Sequence, residues 1–320
     1  MWSRPGVRVG VNELRFREAE QRLWESVGVA PTERWLHLDR ANCAARVQEV
    51  GSGPPVVFIH GASNGGTSWA SLVARLDGFR CIMLDRPGCG LSDPLPTPPD
   101  DIADIEAYAD NLIADLLDVL GLAEAHVVAT SFGGYFALRG AAAHPDRIDK
   151  VLEFSWPFGA PMAKVPLAMR LGSLGGVGWL MARVPPTERA VRMLLRQIGL
   201  GAALESGRFD QASLDWYVSL LRDTHTMRNE FEASPKLVSP IHGLNEKVLL
   251  PARLLADVGS PVYFLWGEDD PNGGADIARE FVGQLPNAEL EMMVGAGHAP
   301  WIDDPDHAAA VTKDFLGRSG

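Results

Sequence analysis

A lone serine lies between a β-branched strand and a run of small residues. The stretch Ala125-His126-Val127-Val128 leads straight into Ala129-Thr130-Ser131-Phe132-Gly133. A strand that turns at once into a helix thrusts the side chain at the turn out above the sheet edge. So tight a turn needs small neighbours two positions to either side. Here these are Ala129 and Gly133, with Gly134 adding room. A hydroxyl displayed this way is a weak nucleophile until a base takes its proton. Downstream, Pro261-Val262-Tyr263-Phe264-Leu265-Trp266-Gly267 reads as an apolar strand that ends in the acids Glu268-Asp269-Asp270. Further on, Leu290-Glu291-Met292-Met293-Val294 is a strand that leads into Gly295-Ala296-Gly297-His298. His298 is the base in this reading. One of the acids holds its tautomer and stabilises its charged form. Each group lies just past the end of a predicted strand. Parallel strands bring all three to one sheet edge, where open α/β sheets bind ligands.

The elements needed to position these groups can be read along the chain. Trp35 to Asp39 and Cys43 to Val50 predict an opening antiparallel pair. Pro55 to His60 and Arg80 to Leu84 are continuous apolar runs, as strands buried on both faces should be. Asp100 or Asp101 caps a helix with the stripe Ile105, Tyr108, Leu112, Leu116 and Val119, closed by Gly121. Gly133, Gly134, Ala137 and Ala141 give the helix after Ser131 a small-residue face that can lie close on the sheet. Lys150 to Phe154 begins a sixth strand. From Phe158 to about Gly259 the alternation stops and only helices are predicted, over Pro166–Leu171, Thr187–Ile198, Leu214–Glu232 and Pro251–Ala256. The tract from Gly172 to Gly178 reads as a bend between helices. At the other end, Asn12 caps a helix from Glu13 to Ser26 with the apolar stripe Phe16, Ala19, Leu23 and Val27.

Composition narrows the partners. The 320 residues are 46% hydrophobic, ample for one sizeable core, and carry a net charge of −12. That charge argues against nucleic acid or an anionic membrane as partner. The three cysteines, Cys43, Cys81 and Cys89, show no metal-ligand spacing and suit a reducing cytoplasm. No apolar signal segment opens the chain, and no run approaches ~18 apolar residues, so no transmembrane helix is expected. His37, His126, His144, His225, His242 and His307 match no ligand spacing and read as structural or surface groups. No metal and no cofactor is expected.

At this point the chain resembles the α/β-hydrolase fold family, in its esterase, lactonase and C–C-hydrolase branch. Serine, acid, histidine is that family's chain order. Phe58-Ile59-His60-Gly61-Ala62 is similar to its oxyanion loop, and Leu84-Asp85-Arg86-Pro87-Gly88-Cys89-Gly90-Leu91-Ser92 to the turn after its fourth strand. The resemblance covers residues 35–157 and 259–320. It implies an α/β fold with a mostly parallel eight-stranded sheet, helices on both faces and an inserted α-helical lid. The domains it implies are an N-terminal helical extension over 1–34, a core over 35–157 and 259–320, and the lid over 158–258. The family pattern Gly-x-x-Asp falls on Gly267 to Asp270 and favours Asp270 over Asp269. The resemblance places the oxyanion donors at the backbone N–H groups of Ala62 and Phe132. It makes His60 an orienting residue of the oxyanion loop rather than a base. Position alone points Trp156 and Trp301 toward the substrate pocket, core packing being the alternative for each; Met162 falls in the lid region, where it is either ordinary lid packing or part of a pliable apolar pocket wall. The N-terminal helix is expected to pack on the body, the alternatives being a homodimer contact or a cover over the lid.

These readings imply a cofactor-free serine hydrolase that acts on an ester, lactone or thioester of a small apolar molecule. A carbon–carbon hydrolase of the same fold is the nearest rival. A ligand receptor on a hydrolase scaffold is a rival of another class. Haloalkane dehalogenases and epoxide hydrolases of this fold use an aspartate at the elbow, and Ser131 departs from that pattern.

Overall fold

The structure is a computed structural model that describes residues 11–165, 167–241 and 243–318. The predicted helix start at Pro166 and the assignment of His242 fall outside these residues. Helix α1 (Glu13–Ser26) comes first, with Asn12 accepting from the Arg15 N–H as its cap. Strands β1 (Thr32–Leu38) and β2 (Cys43–Gly51) follow as an antiparallel pair. The alternation then runs β3 (Pro55–Ile59), α2 (Ala70–Val73), β4 (Arg80–Leu84), α3 (Ile102–Leu120), β5 (Ala125–Thr130), α4 (Phe132–Ala143) and β6 (Ile148–Phe154). Asp101 caps α3, and Gly121 closes it in the left-handed conformation, as the sequence predicts.

After β6 come helices α5 (Leu167–Gly172), α6 (Gly175–Met181), α7 (Glu188–Gln197), α8 (Gly201–Ser206), α9 (Gln211–Asp223) and α10 (Thr226–Leu237). A short antiparallel ladder of β7 (Val238–Ser239) with β8 (Gly243–Leu244) and helix α11 (Ala252–Ala256) complete the insertion. The alternation resumes with β9 (Val262–Gly267), α12 (Ala275–Val282), β10 (Ala288–Met293), α13 (Pro300–Asp303) and α14 (Pro305–Gly317).

The main sheet has eight strands in the order β1-β2-β4-β3-β5-β6-β9-β10, parallel from β4 onward. Alternate residues of its central strands feed two separate cores. Val57 and Ile59 of β3 face α3 and α4, while Val56 and Phe58 face α2 and α14. A strand with an apolar core on each side can carry no polar alternation, hence its continuous apolar sequence.

Three expectations need correction. The insertion is not purely helical, because β7 and β8 pair within it, although no strand of the main sheet lies there among the described residues. The glycine tract is not a bare bend: it ends α5 and forms α6. A Cβ on Gly178 would stand 2.2 Å from the Gly172 carbonyl, so glycine is what lets α6 sit on the end of α5. The single helix predicted over Leu214–Glu232 is two, α9 and α10. Thr224 breaks it, its hydroxyl donating to the Leu220 carbonyl and accepting the Thr226 N–H.

Helix α1 packs along α9 of the insertion. It buries Phe16, Ala19, Leu23 and Trp24, and also the carboxylate of Glu20. Glu20 meets Arg46 of β2 in a two-pronged ion pair and accepts from the Thr67 hydroxyl. Arg46, 1% exposed, also reaches Glu33 and Asp85. A buried charge is tolerated when it is paired in this way. The predicted extension is therefore built into the body, and β1 begins inside its predicted boundary.

Candidate active site

Ser131 is the residue between β5 and α4, at φ 55° and ψ −121°. This lies outside every region favoured by L-residues. Strain of this kind persists only where the surroundings impose it. They do so here through close packing. A Cβ on Gly133 would stand 2.0 Å from the Ile59 carbonyl, and one on Gly134 would stand 2.3 Å from Glu153 Oε1. The Phe158 N–H holds the Ser131 carbonyl at 2.8 Å, and the Thr130 hydroxyl donates to the Phe154 carbonyl at 2.9 Å. Beneath the turn, Glu153 is wholly buried beside the Ser131 backbone, and burial pushes its pKa far up. Burial disfavours its charged form.

The structure brings Asp270, not Asp269, to the histidine. His298 Nδ1 lies 2.7 Å from Asp270 Oδ2. Asp270 is buried and also accepts the N–H groups of Trp156 and Asn272, at 3.1 and 2.9 Å. Asp269 and Glu268 are exposed. Ser155 joins the loops that carry the pair: its hydroxyl accepts the Gly267 N–H at 3.0 Å and donates to the Gly297 carbonyl at 3.1 Å. Asp303 holds the next link by accepting the Gly297 N–H at 2.9 Å. Burial pushes the Asp303 carboxyl up to about 6.

The loop after β3 is locked from behind. His60 is fully buried, with Nδ1 2.8 Å from the Gly61 carbonyl and Nε2 3.0 Å from the Arg86 N–H. A carbonyl can only accept and an amide N–H can only donate, so the proton is on Nδ1. Burial and the nearby Arg86 push the His60 pKa well down, which keeps the ring neutral. It orients the loop. Phe132 is the first residue of α4, so its N–H has no acceptor within the helix.

Ser131 and His298 open on one cavity of about 170 Å³. Gly61, Ala62 and Thr130 line its floor, with Asn64, Ser68 and Ser71 beside them. The insertion supplies Leu195, Ile198, Leu200, Phe209, Trp216 and Tyr217. Helix α1 and its end supply Leu23, Ser26 and Val27. Arg208 and Asp210 add charge at the wall. Of the three residues offered for the pocket, Trp301 is in the lining, while Trp156 and Met162 are not and take the packing alternative. The Trp156 indole packs inward, 2% exposed, and donates to the Pro161 carbonyl. Met162 lies against the core formed with α3 and α4. Arg208 and Ser26 carry no local motif, and the apolar stripe that includes Leu23 and Val27 marks them as buried but not as cavity lining. Cys43, Cys81 and Cys89 are buried free thiols. Among the described residues no helix is long and apolar enough to cross a membrane, and no group of three or more His, Cys, Asp or Glu side chains could hold a metal ion.

An eight-stranded, mostly parallel sheet with a serine on a strained strand-to-helix turn defines the class. Residues 56–311 match the model of the Alpha/beta hydrolase family, and the chain belongs to that family. One relative is the 2-hydroxy-6-oxononadienedioate/2-hydroxy-6-oxononatrienedioate hydrolase of Paraburkholderia phymatum, 26% identical over 90% of this chain and 97% of that protein. Among solved structures, a 2-hydroxy-6-oxo-6-phenylhexa-2,4-dienoate hydrolase from a Rhodococcus strain superposes with a TM-score of 0.72. It shares 21% identity and covers 91% of this chain and 100% of that one. The naproxen esterase of Bacillus subtilis also gives 0.72, at 15% identity, over 98% and 100%. The protein is a hydrolase of the α/β fold.

Proposed function

We propose that the protein is a serine hydrolase that cleaves a carboxylic ester, lactone or thioester of a small, largely apolar molecule through an acyl-enzyme on Ser131. The observation that carries this reading is the shared cavity: Ser131 and His298 both face it, and buried Asp270 fixes the His298 ring at 2.7 Å. His298 takes the hydroxyl proton as Ser131 Oγ attacks the acyl carbon. The tetrahedral oxyanion is received by the N–H groups of Ala62 and Phe132. The acyl carbon–oxygen or carbon–sulfur bond then breaks as His298 protonates the leaving alcohol or thiol. Water, deprotonated by His298, attacks the acyl-enzyme, and the carboxylic acid leaves. Loss of one oxyanion donor in such a site costs about 3 kcal/mol of barrier. Because the lining from the insertion and α1 is mostly apolar, the acyl or alcohol group is expected to be so too. The test is Ser131→Ala: turnover of p-nitrophenyl acyl esters and labelling by a fluorophosphonate should both vanish in a folded variant. Persistence of either rejects Ser131 as the nucleophile.

A carbon–carbon hydrolase is the second reading, and Arg208 in the cavity wall favours it. A guanidinium there suits the carboxylate of an oxo-acid substrate such as those named for the relatives. Turnover of a 2-hydroxy-6-oxo-dienoate, with KM raised at least tenfold by Arg208→Gln, would select this reading over ester hydrolysis.

A further inference from the structure

Arg86 is buried at the centre of the site yet does not line the cavity. Its Nε donates to the His60 carbonyl at 3.1 Å and its Nη2 to the Gly61 carbonyl at 3.0 Å. The same Nη2 stands 3.1 Å from Glu230 of α10. The guanidinium lies over the Phe132 ring, 4.9 Å from its centroid.

The Gly61 carbonyl and the Ala62 N–H belong to one planar peptide, in which oxygen and hydrogen point opposite ways. Whatever holds that oxygen aims that N–H. Arg86 and His60, neither of which lines the cavity, both hold it. Donating to the oxygen also polarises the amide and makes its N–H a stronger donor. The ring under Arg86 belongs to the residue with the other proposed oxyanion donor. Arg86 thus touches both donor segments. Its buried charge is matched by a carboxylate from the insertion.

We propose that Arg86 is the positioning residue of the oxyanion hole, and that Glu230 latches it, so that the seating of α10 sets the rate of the chemical step. This rests on the serine-hydrolase reading above. Helix α10 meets the same turn again, the Thr226 hydroxyl accepting the Gly90 N–H at 3.0 Å. When α10 lifts, Arg86 loses its counter-charge and the Gly61–Ala62 peptide loses one of its two anchors. When it seats, the hole is complete. Lysine cannot replace Arg86, because one ammonium cannot span two carbonyls and a carboxylate in a fixed fork.

The test uses the full chain with Arg86→Lys, Arg86→Met, Glu230→Gln and the double variant Arg86→Met/Glu230→Gln. Melting curves first establish that each is folded. The readouts are kcat and KM on a p-nitrophenyl ester and the affinity of an alkyl boronic acid, whose tetrahedral adduct on Ser131 mimics the oxyanion. Arg86→Lys should lower kcat about 30-fold, leave KM within about threefold, and weaken the boronic acid by the same factor as kcat. Glu230→Gln, the milder variant, should show the same pattern at about fivefold and add nothing in the Arg86→Met background. Loss confined to KM, unchanged boronic-acid affinity, or an undiminished Glu230→Gln effect without Arg86 would each overturn the proposal. If the wild type is labelled at Ser131 and active while these variants keep kcat, only the present inference falls. If the wild type neither turns over esters nor reacts with a fluorophosphonate, both readings fall.

Discussion

Replacing Ser131 by glycine should stabilise the protein relative to replacing it by alanine, although both changes remove the nucleophile. Ser131 is held at φ 55°, ψ −121°, where any side chain is strained. A non-glycine residue in such a region costs about 1–3 kcal/mol. Alanine keeps the Cβ and therefore keeps that strain. Glycine relieves it but loses about 0.5–1 kcal/mol through the greater freedom of the unfolded chain. The balance favours Ser131→Gly over Ser131→Ala by about 1 kcal/mol, on the order of 2 °C in Tm for a chain of this length. Urea unfolding followed by tryptophan fluorescence, with calorimetry in parallel, measures the difference. Neither variant turns over, so catalysis does not confound it. Ala137→Gly, at a buried position within α4, is the control and should lose at least about 1 kcal/mol. If Ser131→Gly proves less stable than Ser131→Ala, the elbow stores no strain and the argument from its backbone is wrong.

Asp270→Asn should cost about ten thousandfold in kcat, as loss of a triad acid does elsewhere, and Asp269→Asn less than threefold. The reverse order would mean that the His298–Asp270 pair is not the working one. Glu153 gives a stability prediction with a definite sign. Its folded pKa lies well above the ordinary 4.5, so wild-type stability is full below that pH and declines as pH rises toward the folded pKa. Glu153→Gln does not titrate, so its advantage over the wild type should grow as pH rises above 4.5 toward the folded pKa. A difference that stays flat from pH 4 to 8 would mean that Glu153 is ionised in the native state. Leu195→Ala and Trp216→Ala should shift the ranking of acyl chain lengths toward longer substrates, whereas Met162→Ala should not. A reordered ranking in Met162→Ala would contradict the cavity described here.

What could be read in advance follows from how local each signal is. The strands, the elbow and the acidic turn are short-range patterns. The three-residue step from Gly267 selects the aspartate that meets His298. Which helix faces look onto Ser131 is decided by packing between segments far apart in sequence, so chain position was a poor guide. Trp156 follows β6 as expected, but it serves the site through its backbone N–H while its ring turns into the core. The apolar stripe of α1 gives no sign that Glu20 beside it is buried. Its partner, Arg46, lies on a strand that local pattern does not connect to α1. The break at Thr224 depends on one hydroxyl satisfying two backbone groups, which helix propensity does not register.

The route of α1 bears on how this architecture can be recombined. Leu23, Ser26 and Val27 share the cavity with residues of the insertion, and Glu20 anchors the helix to β2. This part of the lining is thus divided between two stretches separated by more than half of the sheet in chain order. Transplanting the insertion alone from a relative would join one half of a wall to a foreign other half. It would also set a new α9 against an old α1. A chimera that moves residues 11–27 together with the insertion keeps these two parts of the wall matched, while Ser68, Ser71 and Trp301 stay with the core.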